Sequence, residues 1–149
     1  MKACTELTDL FLETFRLNGR LLSAGDALVA DLGLTSARWQ VLGAIALSPV
    51  PLPVPHIARN MGLTRQAVQR LVNEMGRGGL LEFRPNPHHL RAKLVVLTGQ
   101  GQAAYDAAMV RQTAWVGPLA EGLKPDDLKT AIDTLRTIHQ RLEQGDCDA

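Results

Sequence analysis

Aromatic side chains are almost missing from this 149-residue chain: three phenylalanines, two tryptophans and one tyrosine, 4% in all. A core with so few rings has to be aliphatic. Cysteine is as scarce. Cys4 and Cys147 lie near opposite ends, match no metal-ligand spacing, and are expected to be free thiols in a reducing compartment. No apolar run approaches the ~20 residues of a membrane span, so no membrane partner is expected. The opening MKACTELTD has none of the apolar stretch of a signal peptide, and the cytoplasm is the expected location. Also missing are a glycine-rich phosphate loop, a nucleophile elbow, a metal-binding cluster and a recognisably spaced carboxylate pair. Catalysis therefore has no candidate residues, and neither a cofactor nor a metal is implied.

Charge of one sign is lacking overall, with a net of only +1, but it is unevenly distributed. Between Arg59 and Lys93 seven basic residues face only Glu74 and Glu82, a local charge of +5. The remainder carries nine basic and thirteen acidic residues, a charge of −4. A basic lobe on a mildly acidic remainder is the electrostatic pattern of a nucleic-acid binder.

Apolar spacing predicts a mainly helical protein with one small sheet. Leu7, Leu10, Phe11, Phe15, Leu21, Leu22, Leu28 and Leu32 follow the three-and-four rhythm of a long first helix over 5–31, with a kink expected near Gly19 or Gly25. Thr35 is a suitable N-cap for a second helix running to about Leu47, with Trp39, Leu42 and Ala46 inward. Prolines at 49, 51, 53 and 55 then define a stiff, extended connector. Residues 80–84 and 92–98 alternate as strands around a proline-stiffened tip, Pro85-Asn86-Pro87-His88-His89-Leu90-Arg91. Two further helices, 99–121 and 125–143, close the chain. The last carries a seam of Leu128, Ala131, Ile132, Leu135, Ile138 and Leu142, which suits pairing with another helix.

The most informative stretch is IARNMGLTRQAVQRLV at 57–72. Ala58 is small where two helices must cross closely, Gly62 suits a sharp reversal in the left-handed conformation, and Val68 plugs the angle from the second helix, which Thr64 caps. The outward stripe of that helix is Arg65, Gln66, Gln69, Arg70 and Asn73. In a major groove Gln66 and Gln69 suit an adenine edge and Arg65 or Arg70 a guanine edge; the alternative for each is a phosphate contact. Thr64 caps the helix and its hydroxyl can touch phosphate. Arg38 is a candidate backbone contact, and Arg91 suits a narrow minor groove.

In its order of elements the chain resembles the MarR family of winged-helix transcriptional regulators. The resemblance is carried by Leu34-Thr35 with Trp39-Gln40-Val41-Leu42, by Ile57-Ala58 through Gly62-Leu63-Thr64 to Val68-Gln69-Arg70-Leu71, and by Gly79-Leu80-Leu81-Glu82-Phe83-Arg84 with Arg91-Ala92-Lys93, Leu97-Thr98 and Gly101. It implies one domain over 1–149, with a winged helix-turn-helix lobe at 34–100 and dimerisation helices at 1–33 and 101–149. It further implies a homodimer that binds double-stranded DNA at a pseudo-palindromic operator, in most members as a repressor. By the same resemblance a small aromatic or phenolic effector would be lined by Phe11, Phe15, Arg16, Trp39 and Trp115. The family's wing reads Asp-Pro-x-Asp-Arg-Arg where this chain has Asn86-Pro87-His88-His89-Leu90-Arg91, which removes the acid that would orient Arg91. The rival reading is a winged-helix adaptor that binds a protein partner, with weakened DNA binding.

Overall fold

The computed structural model describes residues 2–145. Within them lie α1 (Lys2–Val29), a 3-10 turn (Ala30–Leu32), α2 (Ser36–Ala46), β1 (Leu52–Pro53), α3 (Val54–Met61), α4 (Arg65–Arg77), β2 (Leu81–Arg84), β3 (Leu94–Leu97), α5 (Gly99–Ala120) and α6 (Pro125–Gly145). The fold is mainly α with one antiparallel sheet, a winged helix-turn-helix with long helices before and after it. Two compact units divide it, one ending at Thr113 and the other beginning at Ala114.

In the first unit the core is aliphatic, as the shortage of rings requires. Leu42 and Val41 from α2, Ile57 and Ala58 from α3, Val68, Val72 and Met75 from α4, and Val95 from β3 are all but fully buried. Trp39 and Tyr105 pack at its margin rather than inside it. α1 runs as one continuous helix through both Gly19 and Gly25. Gly25 serves packing. A Cβ there would collide with the Ser36 hydroxyl, which donates to the Leu22 carbonyl at 2.7 Å while the Ser36 amide donates to Asp26 Oδ1 at 2.7 Å. The glycine thus lets the start of α2 hydrogen-bond directly onto α1.

The far end of α1 is held by Arg111 of α5. Its guanidinium donates to the Leu28 carbonyl at 3.0 Å and makes a two-pronged ion pair with the Asp31 carboxylate. The hydrogen bond from Arg111 holds the Asp31 carboxyl below its ordinary value.

The proline connector holds more structure than its composition suggests. It is extended, but Leu52 and Pro53 also pair with Val95 and Leu94 of β3 as a third, outer strand. Proline is tolerated there because an edge strand needs no donor on its outer side. On the other side of β3, β2 pairs from Leu81↔Leu97 to Arg84↔Leu94, forming the wing. Pro55 sits in the first turn of α3, as a residue lacking an amide donor should.

In the second unit α6 buries no residue; Leu128, Ile132, Leu135 and Leu142 of its seam stand 44–62% exposed.

Candidate nucleic-acid interface

Local chemistry sets the aim of α4. Gly62 adopts the left-handed conformation (φ 64°), and the Leu63 amide donates to the Ala58 carbonyl at 3.0 Å, closing α3 within a single residue. Thr64 is extended and its hydroxyl accepts from the Ala67 amide at 3.1 Å, capping α4. Val68, Val72 and Met75 lock one face into the core. Helical periodicity then leaves Arg65, Gln66, Gln69, Arg70 and Asn73 facing outward, and all five are exposed.

Between this face and the wing lies a concavity of about 640 Å³. Helix α4 contributes Arg65, Gln66, Gln69 and Asn73; Phe83 stands on β2; Arg91, Ala92 and Lys93 come from the wing; Val54 and Pro55 form its edge. Three cations and no carboxylate line it. Gln69 donates through Nε2 to Asn73 Oδ1 at 2.9 Å, which fixes both carboxamides. The Gln69 oxygen and the Asn73 amide group are left for other partners, one acceptor and one donor, and an adenine edge in the major groove offers the matching pair. A cleft lined by one sign of charge attracts anions, and the side chains along one wall have the donors and acceptors that base edges complement.

Four expected residues therefore meet here: Arg65, Gln66, Gln69 and Arg91. Thr64 stands at the helix start with its oxygen used as the cap. Arg70 is exposed but lies outside the concavity. Arg38, expected as a phosphate contact, is already engaged: its guanidinium lies 3.6 Å from the Glu74 carboxylate and also donates to the Gly33 carbonyl at 3.5 Å. In this structure it braces α2 against α4. Asn73, placed on the outward stripe but given no contact role from the sequence, and Lys93, not singled out as a site residue, also line the concavity. Asn73 could have been found from its place four residues after Gln69 on the same stripe, and Lys93 from its position two residues after Arg91 at the base of the wing.

Of the five effector candidates, four belong to the first unit and Trp115 to the second. Phe11, Phe15 and Arg16 lie on the exposed surface of α1, Phe15 at 74%, and Arg16 pairs with Glu13. Trp39 packs against the core, and Trp115 is half-buried in the second unit. The concavity at α4 includes none of them. Cys4 is an exposed free thiol, and Cys147 lies outside the described residues. Among the described residues no group of three or more histidine, cysteine or acidic side chains could hold a metal ion, and no helix is long and apolar enough to cross a membrane.

A model of the MarR family matches residues 32–92, which span α2 to the wing tip. Over 133 residues the chain is 38% identical to an uncharacterised protein of Mycobacterium tuberculosis, covering 89% of this chain and 92% of that one. It is 26% identical over 140 residues to the transcriptional activatory protein BadR of Rhodopseudomonas palustris, with 92% and 80% covered. Among solved structures, CouR of Rhodococcus jostii, bound to p-coumaroyl-CoA, superposes with a TM-score of 0.79 at 27% identity, over 88% of this chain and 92% of that one.

Proposed function

Since this chain belongs to the MarR family of transcriptional regulators, we propose that it is a homodimeric repressor that reads a pseudo-palindromic operator. The reading helix α4 lies in the major groove and the wing reaches over the adjacent minor groove. The observation that carries this reading is the single concavity in which Arg65, Gln66, Gln69, Asn73, Arg91 and Lys93 converge. Pairing of two copies is supported by the apolar rows on α1 and, in the second unit, on α6, which stand exposed among the described residues. By position, 34–100 is the reading lobe, while 1–33 and 101–149 supply dimer contacts. The charge of the concavity speaks against the protein-binding adaptor.

Activation is the second reading, favoured by the likeness to BadR. For the effector, CouR's phenolic acyl ligand supports a small aromatic or phenolic anion, with Phe11, Phe15, Arg16 and Trp39 as the contacts available in the first unit.

Selection from a pool of random duplexes tests the core of this proposal. The recovered sequences should converge on an imperfect inverted repeat with half-site centres about one helical turn, ~34 Å, apart. Convergence on a single unrepeated element, or on none, would overturn it.

A further inference from the structure

Leu90 is the most exposed large hydrophobic side chain among the described residues, at 96%. Its position is built, not accidental. The Ala92 amide donates to the His89 carbonyl at 3.3 Å, closing a turn whose two corner residues are Leu90 and Arg91. The preceding turn is pinned on Asn86, whose side-chain oxygen accepts from the His88 amide at 3.0 Å and whose carbonyl accepts from the His89 amide at 3.3 Å. Pro85 and Pro87 stiffen the backbone on either side of Asn86. A leucine is therefore held out on a braced corner, beside an arginine, and nothing among the described residues covers it.

The surroundings say what covers it. From Phe83 to Lys93 the wing carries Arg84, Arg91 and Lys93 and no acidic residue. Such a tip is drawn to a polyanion, and Arg91 and Lys93 share the concavity with the base-reading side chains of α4. Minor-groove binders commonly drive an apolar side chain between base steps, where flexible pyrimidine–purine steps unstack most easily. Resting on the duplex-binding reading above, we infer that Leu90 is an apolar wedge: it enters the minor groove beside Arg91 and partly unstacks one base step on each side of the operator. Leu90 thereby favours a deformable step under the wing without a hydrogen bond to any base.

The test uses the full-length protein and a duplex recovered by selection from a random pool, followed by fluorescence anisotropy over a range of salt concentrations. Leu90→Ala should bind roughly tenfold more weakly, the loss expected when one leucine side chain is no longer buried. Its salt dependence should match that of the wild type, because no phosphate contact is lost. Arg91→Ala should also weaken binding, but with a shallower salt slope. Permanganate, which oxidises thymines where they are unstacked, should mark a step under the wing with the wild type, Arg91→Ala and Leu90→Met, and lose that mark with Leu90→Ala. The unfolding midpoint of Leu90→Ala should be unchanged, since the side chain is not packed. Wild-type affinity for Leu90→Ala, or no reactive thymine under the wild-type wing, overturns the wedge alone. Failure of the wild type to bind any duplex overturns both the wedge and the reading beneath it.

Discussion

Replacing Arg65 and Arg91 together by alanine should weaken binding to the selected duplex by at least about thirtyfold, since each arginine contact is worth roughly 1–3 kcal/mol. The unfolding midpoint should stay where it was. Both expectations come from the same observation. The two side chains stand on opposite walls of the concavity, one on α4 and one on the wing, and both are exposed. Among the described residues neither forms an ion pair, so neither braces the fold. The salt dependence should also become shallower, by up to about one unit of slope for each arginine that had neutralised a phosphate. Arg38→Ala provides the contrast. It removes the partner of Glu74, so it should lower stability slightly and affect affinity through the aim of α4 rather than through a lost phosphate contact. Measuring affinity and unfolding on the same preparations separates the two behaviours. A protein-binding adaptor would tolerate the double arginine substitution with no change in its affinity for DNA.

Gly101→Ala should be the most damaging single methyl in the first unit. A Cβ at Gly101 would lie 3.0 Å from the Leu80 carbonyl carbon and closer still to its oxygen. The obstacle is backbone, so no side-chain rotation relieves it. Nor is the backbone free to retreat. Thr98 donates through Oγ1 to the Gly79 carbonyl at 2.6 Å, accepts from the Gly101 amide at 3.0 Å, and donates through its own amide to the Leu80 carbonyl at 3.1 Å. These bonds fasten the first turn of α5 to the junction where α4 ends and the wing begins. Overpacking at such a point costs about 2–3 kcal/mol, which for a chain of this size lowers Tm by about 5–10 °C. Gly99→Ala is the control, since nothing lies within 4 Å of a Cβ at that position. Thermal unfolding followed by circular dichroism should show a large shift for Gly101→Ala and almost none for Gly99→Ala. Equal midpoints for the two variants would contradict this account of the α4–α5 junction.

What the sequence reveals about this protein follows the range of the interactions involved. The helix-turn-helix was legible because its requirements are local: a small Ala58, a left-handed Gly62 and a capping Thr64 all fall within seven residues. The buried stripe of Val68, Val72 and Met75 then determines by periodicity alone which side chains of α4 face outward. Interactions between distant segments were not legible. Two prolines flank Leu52 and argue against a strand, yet Leu52 and Pro53 pair with a partner more than forty residues away. Arg38 resembles a free surface cation until Glu74, thirty-six residues later, is placed beside it. Gly25 suggests a weak point in a helix, whereas its role is to admit Ser36 against α1. In each case local propensity was outweighed by a packing partner that sequence spacing does not reveal.

The most direct test is an anisotropy titration of the wild-type protein with its selected duplex at salt concentrations from about 50 to 200 mM. A dimer that neutralises several phosphates through its basic concavities should lose roughly a thousandfold or more in affinity across that range, along a straight line of log affinity against log salt. Affinity that is indifferent to salt, or no binding at the lowest salt, would contradict the assignment of this surface to DNA.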